Sequence, residues 1–186
     1  PKSMSGVLVL LALVVTRALV TSERQPAKVD VGRVALVTTA SRRRAVGEYG
    51  EQKASYMYAV SVDNKARYCA ALGWDFVVGG EAEETAGRSA RWNKVAWLRR
   101  VVDEYDWIVW MDLDAVFVMS ENLLGRLDLS FDGHFTPDSG DTSRVNTGFF
   151  ALRGKSDWTR DFLTKVWDHN DSGQGMSDQN SINHVL

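Results

Sequence analysis

An α/β domain, its mostly parallel sheet flanked by helices, is predicted by three observations. Between residues 33 and 111 short β-branched apolar runs alternate with helical stretches in the order βαβαβ, the pattern of parallel strands joined by right-handed crossovers. The third run, WIVWM from Trp107 to Met111, is continuously apolar, as a strand buried on both faces must be. The composition is that of an ordinary single globular domain. With 186 residues, 45% hydrophobic, 15 Gly and 3 Pro, the chain is not collagen, a coiled coil, a low-complexity tail or a disulfide-stapled mini-protein.

The elements follow in order. Gly6 to Val15 (GVLVLLALVV) holds no polar residue, but Thr16 and Arg17 break the run before it reaches the roughly 20 residues of a spanning helix. It reads as the core of a signal peptide or signal anchor, with Lys2 as the positive flank, Val20 and Ser22 at the cleavage positions, and SERQPAK as a linker. Residues 1–30 are therefore expected to be targeting sequence and linker, and residues 31–186 the body. RVALVTT, Arg33–Thr39, is a short buried strand followed by a polar turn. A helix follows from about Lys53 to Leu72, with Tyr58, Val62, Ala66 and Cys69 on its apolar stripe and Asp63, Asn64, Lys65 and Arg67 away from it; Gly73 is its stop. Trp74–Val78 is the second strand, ended by Gly79 and Gly80. Trp92–Tyr105 is helical, with Val95, Leu98, Val102 and Tyr105 on one side, and it leads into the Trp107–Met111 strand. Val145–Leu152 is strand-like, Asp157–Trp167 helical, and Ser177 to Leu186 helical. The opening Pro1 points to a true start at Met4 or upstream, and because the chain stops inside that last element the catalytic domain is expected to be C-terminally incomplete.

Charge and cysteine narrow the classes of function. A net charge of −2 gives no electrostatic footprint for nucleic acid. Cys69 is the single cysteine, so no disulfide forms within the chain.

The chemistry is expected at Asp112 and Asp114, in WMDLDAVF, where the buried strand emerges at its carboxyl end, the edge at which open α/β sheets bind ligands. At i and i+2 on an extended chain the two carboxylates point the same way and Leu113 points inward. Two such oxygens can hold a hard divalent ion, Mn²⁺ or Mg²⁺, that shares its shell with substrate phosphates. A solvated strand end has the same spelling. So does a haloacid-dehalogenase-like phosphatase, with Asp112 as nucleophile and Asp114 as general acid/base. Against the phosphatase, that motif usually sits on the first strand, whereas two βα units precede it here. Its later acidic pair is also missing, since no second acid follows Gly140 and Asp141 before Val145.

Three blocks, RSARWNKVAWLRRVVDEYDWIVWMDLDAVF, RVNTGFFALRGKSDWTRDFLTKVW and SDQN, together with NKARYCAALGWDF, resemble in order and spacing the galactosyl/mannosyl/xylosyltransferase family. That family includes fungal-type Golgi mannan galactosyl- and mannosyltransferases and plant-type xyloglucan xylosyltransferases. The resemblance covers Arg33 to Leu186 and implies a GT-A, Rossmann-like nucleotide-diphospho-sugar transferase fold. It also implies metal-dependent, retaining transfer of a hexose or pentose from a UDP- or GDP-sugar to a glycan acceptor, and a single-pass type II Golgi membrane topology with a lumenal catalytic domain; a secreted protein is the alternative.

By position, the resemblance puts Asp112 and Asp114 on Mn²⁺ (or Mg²⁺) at the donor diphosphate and Lys94 near the donor sugar or phosphates, a place an exposed helix lysine would equally occupy. Asn146, Thr147 and Gly148 match the block that binds the donor sugar, although a bulged strand reads the same way. Asp178 and Gln179 match the pair near the anomeric carbon, where an acid-rich first helical turn is the plain reading. In the mechanism so implied, Asp178 or Gln179 stabilises an oxocarbenium-like sugar while the acceptor attacks from the leaving-group side; a double displacement through Asp178 is the rival. The family's third metal ligand is a His from a later segment, for which His184 is the only downstream candidate; His134, His169 and His184 otherwise read as structural or surface residues. A truncated, inactive domain that still binds nucleotide or glycan is the non-enzyme alternative. Asn170 opens an Asn-Asp-Ser sequon, which suits a lumenal protein.

Overall fold

The computed structural model describes residues 30–40, 50–80, 82, 85, 88–169 and 177–186. The N-terminal apolar run and the Asn170 sequon lie outside them. Among the described residues no helix is long and apolar enough to cross a membrane.

The strands are β1 (Val34–Thr39), β2 (Asp75–Gly79), β3 (Trp107–Met111), β4 (Gly133–Pro137) and β5 (Val145–Arg153). The helices are α1 (Glu51–Leu72), α2 (Asn93–Val101), α3 (Asp157–His169) and α4 (Asp178–Val185). One sheet has the order β2-β1-β3-β5-β4. β1 pairs in parallel with β2 and β3, β5 runs antiparallel to β3, and β4 runs antiparallel to β5. Four strands therefore point one way and β5 alone runs back, so the sheet is mostly parallel, as expected. Its reversal brings the start of β5 beside the end of β3.

Alternation along the strands sends side chains to two cores. Ala35, Val37, Ile108, Trp110, Phe150 and Leu152 pack with α2, α3 and α4 residues such as Val95, Leu98, Phe162, Val166 and Ile182. Val34, Leu36, Trp107, Val109 and Met111 pack on the other face with Tyr68 and Cys69 in the last turns of α1, with Trp74 just before β2, and with Leu124. Cys69 is 1% exposed, and burial pushes its thiol up to about 12. Val95, Leu98, Val102 and Tyr105 are all buried, as their spacing implies. Gly73 ends α1 at φ 70°, its N–H donating to the Cys69 carbonyl.

Two expectations change. The buried face of α1 is Ser61, Lys65, Tyr68 and Cys69, while Tyr58 is 41% exposed. Hydropathy assigns a lysine to solvent, and here it points to the protein. The edge strand β4 (GHFTP) was not foreseen: it is half-buried, short and bounded by Gly and Pro, so it shows no alternation.

The turn from β5 to α3 packs on the turn before β3. Gly154 N–H donates to the Asp106 carbonyl at 2.9 Å and Lys155 N–H to Val102 O at 2.8 Å. A Cβ at Gly154 would drive into the Tyr105 carbonyl and stand 3.0 Å from Val102 O. Both are backbone atoms and cannot swing aside. Gly154→Ala is therefore expected to destabilise the protein by about 3 kcal/mol or more, seen as a lower urea midpoint. An unchanged midpoint would show that the turn opens freely.

Candidate active site

The site forms where β3 ends, β5 begins and α2 and α4 start. β3 stops at Met111, and residues 112–115 turn, Ala115 N–H donating to the Asp112 carbonyl at 3.2 Å. The two carboxylates therefore leave a turn rather than an extended strand. Asp112 is half-buried and Asp114 exposed.

Asp112 is held from three sides. Trp110 Nε1 donates to its Oδ1 at 2.8 Å, and Lys94 Nζ lies 3.3 Å from the same oxygen. Its backbone N–H donates to Gly148 O at 2.8 Å. A Cβ at Gly148 would lie 3.5 Å from Asp112 Oδ2 and 3.0 Å from Asn146 Oδ1, so glycine keeps that face of the carboxylate uncovered. Trp110 is thus core and site at once: its ring is buried, its N–H aims the acid.

Residues 147–149 form a bulge. Phe135 pairs with Phe150, but the next residue, Thr136, pairs with Asn146, so β5 carries three residues with no partner on β4. Thr136 Oγ1 closes the bulge onto Asn146 O at 3.2 Å and Phe149 O at 3.0 Å. Inside it the Asn146 side chain accepts from Gly148 N–H at 2.8 Å. The bulge turns Thr147 inward, 2% exposed.

Lys94, in the first turn of α2, ties these parts together. Only 5% exposed, it is not the exposed helix lysine that the sequence also allowed. Its ammonium donates to Thr147 O at 2.8 Å, pairs with Asp178 Oδ2 at 2.8 Å, and reaches Asp112 Oδ1 and Thr147 Oγ1 at 3.3 Å. A lysine has three N–H donors, and these partners account for them. Asp178 opens α4, whose N-cap Ser177 Oγ accepts from Asn180 N–H at 3.2 Å. Asp178 is both the acid of a first helical turn and a buried partner of Lys94, 5% exposed. Asn183 fixes that helix to the start of β5, accepting from Val145 N–H at 2.7 Å and donating to Val145 O at 2.9 Å.

The structure thus brings together Lys94, Asp112, Thr147, Gly148 and Asp178, with Asn146 at the border. Gln179 is turned away: its amide donates to Asp138 Oδ2 at 3.0 Å, in the loop after β4. His184 stacks on His169 at 4.0 Å between ring centroids, and His134 packs near Trp107 and Phe131. Among the described residues no group of three or more His, Cys, Asp or Glu could hold a metal. A cation on Asp112 and Asp114 would complete its shell with phosphate and water, which is how Mg²⁺ and Mn²⁺ commonly bind.

Lys65 is the residue that sequence reasoning missed. It is 0% exposed on α1, and its Nζ donates to Ala115 O at 2.6 Å. Burial pulls its pKa down to about 8, while Asp114 and then Asp112 oppose the fall. No hydropathy pattern signals a lysine buried on an inward face.

The fold is GT-A-like, and with the family match below it makes the chain a glycosyltransferase. The fold is similar to that of a solved glycosyltransferase involved in the glycosylation of the major capsid of PBCV-1. The TM-score is 0.61 at 14% identity, over 83% of this chain and 77% of that one, a likeness of fold. The galactosyl transferase GMA12/MNN10 family matches residues 32–132, and the chain belongs to that family. The matched stretch contains Lys94, Asp112 and Asp114, whereas Asn146–Gly148 and Asp178 lie beyond it. No curated protein matches the chain.

Proposed function

We propose that the chain transfers a hexose or pentose from a UDP- or GDP-sugar to a glycan acceptor, with retention of configuration and dependence on Mn²⁺ or Mg²⁺. The observation that carries this reading is the buried ammonium of Lys94, shared by Asp112 at the end of β3 and Asp178 at the start of α4. One cation thus joins Asp112, the acid proposed for the diphosphate, to Asp178, the acid proposed for the sugar, and Gly148 places no Cβ against Asp112 Oδ2.

Asp112 and Asp114 would hold the divalent ion. When bound, that ion supplies Lewis-acid stabilisation of the departing diphosphate. Asp178 carries the negative charge that an oxocarbenium-like sugar needs. Its Oδ2 is paired with Lys94, which lowers its power as a nucleophile and favours electrostatic support over a covalent glycosyl-enzyme. The acceptor hydroxyl then attacks from the leaving-group side, and its proton passes to the phosphate. Lys94 positions both acids, since its donors are already engaged. Thr147 and Gly148 form the wall against the donor sugar, and Asn146 holds that wall in its bulged shape. Gln179 enters only if the loop at Asp138 releases it. The apolar Gly6–Val15 run supports a Golgi location with the N-terminal segment as membrane anchor.

The test is nucleotide release from a panel of UDP- and GDP-sugars. Turnover of at least one donor is expected with Mn²⁺, lost with EDTA and restored by added Mn²⁺. Binding without turnover would support the inactive-domain reading. Hydrolysis of a generic phosphate ester, abolished by Asp112→Asn, would support the phosphatase instead.

A further inference from the structure

Helix α1 carries a polar stripe. Ser61, Asn64, Lys65 and Tyr68 recur at i, i+3, i+4 and i+7, on one helical face. All four grip the segment that follows the two acids. Ser61 Oγ donates to Ala115 O at 3.3 Å, and Lys65 Nζ donates to the same oxygen and to Ser61 Oγ. Asn64 accepts from Phe117 N–H at 2.7 Å and donates to Phe117 O at 2.9 Å, as a neighbouring strand would. Tyr68 stacks on Phe117 at 3.6 Å, donates to Glu121 O at 2.7 Å and accepts from Leu123 N–H at 3.2 Å.

Burying an ammonium is costly, and an apolar side chain would fill the place more cheaply. The place itself explains the lysine. The peptide groups of Ala115 close the Asp112 turn on one side, through its N–H to Asp112 O, and meet Lys65 on the other, through its carbonyl. Burial pulls the Lys65 pKa down to about 8, and the charges of Asp114 and then Asp112 oppose the fall.

We propose that Lys65 is a positioning residue for the divalent-cation site, holding the Ala115 carbonyl so that the turn presents Asp112 and Asp114 together. This rests on the reading of those two acids as cation ligands. Charge and position make opposite demands here. Removing a cation that interacts by charge with both carboxylates would by charge alone strengthen Mn²⁺ binding, whereas releasing the turn would weaken it.

The experiment is a Mn²⁺ titration of the full chain followed by electron paramagnetic resonance of free Mn²⁺, with a thermal melt of each protein. Lys65→Met is expected to weaken Mn²⁺ binding about tenfold, the usual scale for groups that orient a metal ligand. Tyr68→Phe, which loosens only the far end of the segment, is expected to lower Tm and leave Mn²⁺ affinity unchanged. Affinity in Lys65→Met equal to or tighter than wild type overturns the proposal while leaving the metal site standing. A wild type that binds no Mn²⁺ overturns the metal site and this role together. Should Lys65→Met fail to fold, Ser61→Ala removes the other donor at Ala115 and the hydroxyl beside Lys65. A weakening in the same direction supports the role, and unchanged affinity overturns it.

Discussion

Asp112→Asn is expected to lower sugar transfer on the order of 10²- to 10³-fold, the loss typical of removing one preorganised electrostatic group from a transition state. The substitution isolates charge from shape. An asparagine has the same volume, and its oxygen can still accept from Trp110 Nε1, which stands 2.8 Å from Asp112 Oδ1. Lys94 would keep its closer partners, Asp178 and Thr147 O, both at 2.8 Å. With its side chain 37% exposed, Asp112 contributes through this ion pair no more than about 1 kcal/mol to stability. The melting temperature should therefore move by only a few degrees while the rate collapses. Nucleotide release with Mn²⁺ in excess, beside a thermal melt, checks both halves. A rate within tenfold of wild type would remove Asp112 from the metal site, whatever the melt shows.

The contrast between Asp112 and Lys94 explains which parts of this site are legible in the sequence. Asp112 and Asp114 stand out because a continuous apolar strand aims at them, and the observed β3 has the bounds its hydropathy implies. The βαβαβ order is legible for the same reason: parallel strands buried on both faces leave long unmixed apolar runs. Lys65 is hidden by its own chemistry, and so is the burial of Lys94, whose place near the donor came from the family resemblance. A lysine is scored as solvent-facing, and its burial depends on partners that arrive from elsewhere in the chain. For Lys94 these are Thr147 and Asp178 on other elements, and for Lys65 the Ala115 carbonyl. β4 and the reversed direction of β5 are hidden differently. An edge strand need bury only part of itself, and strand direction is set by pairing with β3, which no local pattern records. Residues 147–149 show the same limit: the sequence allowed a bulged strand as one reading of Asn146–Gly148, but the bulge comes from a shift of register between two strands, and their pairing displays it.

Lys94→Met is the change expected to cost most stability. It removes the cation from a carboxylate whose side chain is 7% exposed and takes the donor from the buried Thr147 carbonyl. Leaving one member of a buried pair behind costs about 3–5 kcal/mol, against a total of about 5–15 kcal/mol for a domain. The variant should thus fold marginally, with a urea midpoint far below that of wild type. Adding Asp178→Asn should recover a good part of the loss, because an amide can stay buried without a countercharge. That recovery distinguishes an uncompensated charge from a simple packing defect, which the second substitution would not repair. Activity should stay lost in the double variant even where stability returns, since nothing then holds Asp178's position and Asp112 to one centre. If Lys94→Met alone costs less than about 1 kcal/mol, the pair is solvated as surface pairs are. Lys94 would then be free to meet the donor phosphates directly, and its part in the reaction would shift from holding the two acids to binding the substrate.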